Sequence, residues 1–208
     1  MNNNLIKFYL LANKLKYKIR TGWQELNISS DRLESVAEHV YGCLMLAIAL
    51  DSEYKLELDM YKVLKMLSLH ELEETIMKDY TVRDRISREE KLKKGRECVI
   101  KATEGLIKQN EIIELLDEFN SHLTIESIFC YHIDKIEWDL QAKIYDLNGE
   151  FDLENAIKDA EAYQGENFKI RDRITASDIG IEYDKRYYLG DKIFEDLIKD
   201  IQNIQNLQ

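Results

Sequence analysis

Proline is absent from all 208 residues, and glycine occurs only eight times. The commonest helix breaker is therefore missing, which favours a chain built of helices. Cysteine is scarce and scattered. Cys43, Cys98 and Cys130 form no C-x-x-C pair and are odd in number, which argues against a disulfide framework or a zinc ribbon and leaves three reduced core residues. Basic residues are outnumbered, 29 Lys and Arg against 40 Asp and Glu. A net charge of −11 repels nucleic-acid polymers and anionic membranes, so neither is an expected partner. No run is long and apolar enough to span a bilayer, and the opening stretch alternates apolar and basic residues without a continuous hydrophobic segment. A cytoplasmic location is expected. No internal repeat, G-x-x-x-x-G-K-[ST] or G-x-G-x-x-G motif is present.

What remains is a 45% apolar, 33% charged composition of ordinary globular type, long enough for one sizeable core. Apolar spacing predicts a first amphipathic helix over Leu5 to Leu15, ending before a turn at Gly22. Residues 34–50 are apolar almost all round, with Ser35 a natural N-cap, so they form a core helix that carries one imidazole, His39. A third helix starts near Asp59. If it continues past Leu67, then Val63, Leu67, His70, Glu71 and Glu74 share one face. That face passes from hydrocarbon into an imidazole and two carboxylates, groups costly to bury unless a cation pairs with them. The plainer alternative is an apolar stripe that stops at Leu67 and a solvated acidic end. Further on, residues 98–106, 112–119 and 124–145 read as helices, and Asp134 sits among aromatic and apolar neighbours on the last of these. Two or three more helices follow Gly149, with a polar connection near residues 169–177.

Taken in order, Arg20-Thr-Gly-Trp23, Glu34-Ser-Val-Ala-Glu-His39, His70-Glu71-x-x-Glu74, Asp79 and Asp134-Lys-Ile-Glu137 resemble the HD-domain metal-dependent phosphohydrolases. Within that family the pattern is similar to the branch containing the 5'-deoxynucleotidases. The resemblance covers about residues 5–146 and implies an all-α, single HD-type helical bundle, with a C-terminal helical extension over about 150–208. It implies one divalent transition metal (Mn, Fe, Co, Ni or Zn) on His39, His70, Glu71 and Asp134. It further implies Arg20 on the substrate phosphate, Trp23 near the sugar or base, and Glu74 and Asp79 serving the attacking water and the leaving oxygen. The substrate would be a nucleoside monophosphate. A homodimer is the default assembly. One departure stands out: the family's His-Asp doublet is His70-Glu71 here, one methylene longer. The competing expectation is therefore a catalytically weakened nucleotide-binding or sensor module.

Overall fold

The computed structural model describes residues 3–164 and 174–206. Ten α-helices are found among them, with short 3-10 turns and no strand, only an isolated bridge between Ile19 and Ser35. The all-helical expectation holds. The expected polar connection at 169–177 falls outside the described residues as far as 173.

By their contacts the residues form two compact units, Met1–Thr21 with Glu34–Ile133, and Gly22–Leu33 with Asp134–Gln208. The first holds α1 (Asn3–Ala12), α3 (Val36–Tyr54), α4 (Met60–Leu67), α5 (Arg88–Ala102) and α6 (Gln109–Ser121). The short α2 (Thr21–Glu25) belongs almost wholly to the second, and the long α7 (Ile125–Leu147) contributes residues to each. The second unit continues through α8 (Leu153–Gln164), α9 (Ala176–Asp184) and α10 (Lys192–Asn203).

In the first unit, Leu72, Val99, Ala102, Ile113 and Leu116 form a core on which Phe8, Leu11, Leu69 and Ile112 pack. Helix α3 begins at a reciprocal cap: Ser35 Oγ accepts from the Glu38 amide, and Glu38 Oε2 accepts from the Ser35 amide at 2.8 Å. The bridge beside this cap ties the Arg20 segment to it. The Arg20 amide donates to the Glu34 carbonyl at 3.1 Å, and the Val36 amide to the Lys18 carbonyl at 2.8 Å. Arg20 is thus fixed one turn before His39. In the second unit Trp23, Leu26, Ile28, Ala142, Tyr145 and Phe151 lead the core, with Trp138 packed against it.

One expectation fails. Helix α4 starts as expected on Asp59, whose side chain accepts from the Lys62 amide, but it stops at Leu67. His70, Glu71 and Glu74 are therefore not one helical face. The physical reason is local: His70 Nδ1 bonds the Leu67 carbonyl at 2.7 Å, taking the acceptor that a continuing helix would give to the Glu71 amide. The chain then turns through a 3-10 segment, Leu72–Thr75. Lys18 Nζ holds the end of that segment by donating to the carbonyls of Glu74, at 2.8 Å, and Met77, at 2.6 Å.

Candidate metal centre

The same break in α4 that spoils the helical face builds a better site. A carbonyl oxygen only accepts, so the His70 Nδ1 that faces Leu67 must carry the proton. In the neutral ring the lone pair is then on Nε2, the arrangement that backbone carbonyls commonly impose on metal-binding histidines. His70 Nε2 is 3.3 Å from His39 Nε2 and 3.6 Å from Glu71 Oε1, and His39 Nε2 is 3.7 Å from the same oxygen. The point equidistant from three atoms so spaced lies about 2.0 Å from each, the length of a bond from a first-row divalent ion to nitrogen or oxygen. His39 and His70 are buried, and the Glu71 side chain is 16% exposed, so the donor set is largely shielded from water. Two neutral imidazoles and a carboxylate suit a divalent transition ion. The residues fit the implied group.

Around this triangle the first unit assembles the other expected residues. Arg20 Nη1 stands 3.4 Å from Glu71 Oε1, and its Nε is 3.9 Å from Glu34 Oε2. Asp79 Oδ2 accepts the Thr21 amide at 2.8 Å and so anchors the turn that presents Arg20. Glu74 is buried, and its carboxyl is pushed up to about 10, first by burial and then by the charges of Glu71 and Asp79, against Lys18 and Arg20. Lys18 Nζ is 3.5 Å from Glu74 Oε2, within ion-pair range but not in hydrogen-bonding geometry, because that ammonium is committed to two carbonyls. Glu73, which faces Gly95 of α5, is raised to about 7 by burial and by Glu71.

Arg20, His39, His70, Glu71, Glu74 and Asp79 thus all belong to the first unit and form one connected set. Trp23 and Asp134 belong to the second. Trp23 is fully buried, stacked on Trp138 with centroids 5.0 Å apart and edge-on to Tyr145 at 5.2 Å. Its indole packs in the core of the second unit, and a place near the sugar or base stays a proposal from the resemblance. Asp134 is 13% exposed and pairs with Lys135 at 2.8 Å. Sequence reasoning missed Lys18, whose only signal was its nearness in the chain to Arg20, and read Glu34 only as the first residue of the motif that ends at His39.

A metal-capable cluster of two histidines and a glutamate, beside an arginine and a buried acid in an all-helical unit, defines the class. The model of the HD-domain family matches residues 12–176, and the chain belongs to that family. The match runs past the limit of about residue 146 that the motifs set. The chain is 33% identical over 163 residues to the 5'-deoxynucleotidase HDDC2 of Dictyostelium discoideum, covering 75% of this chain and 84% of that one. It is 31% identical over 154 residues to the protein of the same name from Bos taurus, covering 73% and 70%. Among solved structures, a conserved hypothetical protein from Pyrococcus furiosus superposes with a TM-score of 0.64 at 24% identity, over 96% of this chain and 99% of that one. A predicted metal-dependent phosphohydrolase from Magnetospirillum magnetotacticum gives 0.63 at 20% identity, over 97% and 90%. These two likenesses concern the fold.

Proposed function

We propose that the protein is a metal-dependent phosphomonoester hydrolase that removes the 5'-phosphate from deoxynucleoside monophosphates, releasing a deoxynucleoside and inorganic phosphate. The observation that carries the reading is the triangle of His39 Nε2, His70 Nε2 and Glu71 Oε1, with sides of 3.3 to 3.7 Å, and Arg20 against its carboxylate corner. The activity named for the relatives from Dictyostelium discoideum and Bos taurus supplies the substrate class.

His39, His70 and Glu71 would hold the ion, one of Mn, Fe, Co, Ni or Zn. Asp134 is proposed as the fourth ligand on its match to the family motif. A bound divalent ion would supply an acidified water and a polarised phosphoryl oxygen. Arg20 binds the substrate phosphate through its planar guanidinium, which pairs with phosphate oxygens two at a time. Glu74 orients the water and takes its proton. Burial first, and then the charges of Glu71 and Asp79, raise the Glu74 carboxyl, and positive charge at Glu71 would lower that barrier to ionisation. Asp79 helps protonate the leaving 5'-oxygen by relaying the proton that Glu74 takes from the water, and by accepting the Thr21 amide it keeps Arg20 in place. Glu71 in place of the family aspartate is compatible with this chemistry, since its oxygen already stands at ligand spacing from both imidazoles. Soluble action on a small substrate in the cytoplasm, as a homodimer, completes the proposal. Among the described residues no helix is long and apolar enough to cross a membrane.

The test is phosphate release from a panel of deoxy- and ribonucleoside monophosphates by protein loaded with each candidate metal. Turnover that disappears in His70→Ala supports the reading. Tight nucleotide binding without turnover under any of the metals would replace it with a sensor module.

A further inference from the structure

The imidazole pair has a second possible partner. His39 and Cys43 are four residues apart on α3, hence on one face. Cys43 Sγ stands 3.7 Å from His39 Nε2 and 3.9 Å from its Nδ1. Donor atoms of His39, Cys43 and His70 all lie within 4.8 Å of one another. Both histidines and the cysteine are buried, at 0%, 0% and 4% exposure for His39, Cys43 and His70. The pair thus has a carboxylate oxygen as one third donor and a thiol sulfur as the other.

We propose that His39, Cys43 and His70 form a second, sulfur-containing coordination mode, taken by strongly thiophilic divalent ions such as cadmium and exclusive of the oxygen mode on Glu71. The inference rests on the metal reading of the imidazole pair and adds to it a ligand and a class of ion. Thiolate is a soft donor, and divalent ions sort between sulfur and oxygen by softness. Manganese and other hard ions go to Glu71. A thiophilic ion gains a bond to sulfur, and the thiol proton leaves to solvent as it binds. Both modes use the same two imidazoles, so they compete. An ion on the thiol side draws the imidazoles away from the carboxylate that Arg20 contacts, and thiophilic metals act as inhibitors of the hydrolase.

The experiment is a cadmium titration of the full chain read by ultraviolet absorbance, beside a manganese titration read by electron paramagnetic resonance. It uses the parent, Cys43→Ser and Cys43→Ala. The parent should develop a thiolate-to-cadmium charge-transfer band that saturates at a single ion per chain. Both variants should lose that band and bind cadmium about tenfold or more weakly, with manganese affinity held within about twofold. Cys98 and Cys130 remain in both variants, so a band arising from either would persist. A parent without the band, or a band that survives in the variants, overturns the proposal. Manganese binding in that case leaves the oxygen site standing, whereas a parent that binds neither ion overturns both. If one substitution disturbs folding by circular dichroism, the other variant and the parent titration still decide it.

Discussion

Arg20 Nη1 lies 3.4 Å from Glu71 Oε1, so the guanidinium proposed for phosphate contacts a carboxylate proposed for metal. The contact is part-buried and pre-positions the arginine at the edge of the donor triangle.

Arg20→Ala should therefore leave bound metal near the parental level while lowering kcat/KM by about two orders of magnitude. Metal analysis and steady-state kinetics on the same preparation check it. Loss of metal would mean that Arg20 serves Glu71 rather than phosphate.

Glu71→Asp restores the family doublet but withdraws the carboxylate by one methylene from a position already 3.6 and 3.7 Å from the two imidazole nitrogens. Metal affinity and rate should both fall, by roughly tenfold to a hundredfold. Metal dissociation constants and phosphate release for the two proteins measure this; an aspartate variant as fast as the parent would show that the site has not adapted to the longer side chain.

Much of the local structure was legible in the sequence, because caps and residue spacing are local signals. Ser35, Asp59 and the imidazole on a core helix were readable from residue type and spacing alone. The path of the chain after Leu67 was not. Helical periodicity extrapolated α4 through Glu74, whereas the His70 side chain takes the Leu67 carbonyl and ends the helix. A side chain competing for its own backbone is invisible to a count of apolar positions. The packing of Trp23 was illegible for the opposite reason: its ring partners Trp138 and Tyr145 lie more than a hundred residues away in the chain.

Those rings set a steric test in the second unit. A Cβ on Gly180 would come within 2.6 Å of Trp138 Cζ3 and 2.7 Å of its Cη2. Trp138 is stacked on Trp23 and has little room to yield. Gly180→Ala should destabilise the protein by about 1–3 kcal/mol, read as a shift in urea midpoint with unchanged slope. A neutral result would show that the stack is loosely packed.

The Asp184 carboxyl, at the C-terminal end of α9, is raised to about 7 by burial, with Asp134 adding to the rise and Lys135 and Arg186 opposing it. Unfolded, it titrates near 3.9. Between those values the folded state binds more protons, so stability should fall as pH rises from about 4 to 7 and level off above. Burial also raises buried Asp139, which accepts from Tyr188 Oη at 2.9 Å, and it acts in the same direction. Asp184→Asn should flatten the slope and gain on the order of 2 kcal/mol over the parent at pH 8, checked by thermal melts across the range. A parent that gains stability through this window would contradict the assignment.

The most direct measurement is phosphate released from a deoxynucleoside 5'-monophosphate by parent and His70→Ala, each assayed with its bound metal quantified. The account predicts a single divalent ion per parent chain with steady turnover, and neither in His70→Ala. A parent that hydrolyses the substrate with no metal bound, or a His70→Ala protein that retains both ion and activity, would contradict it.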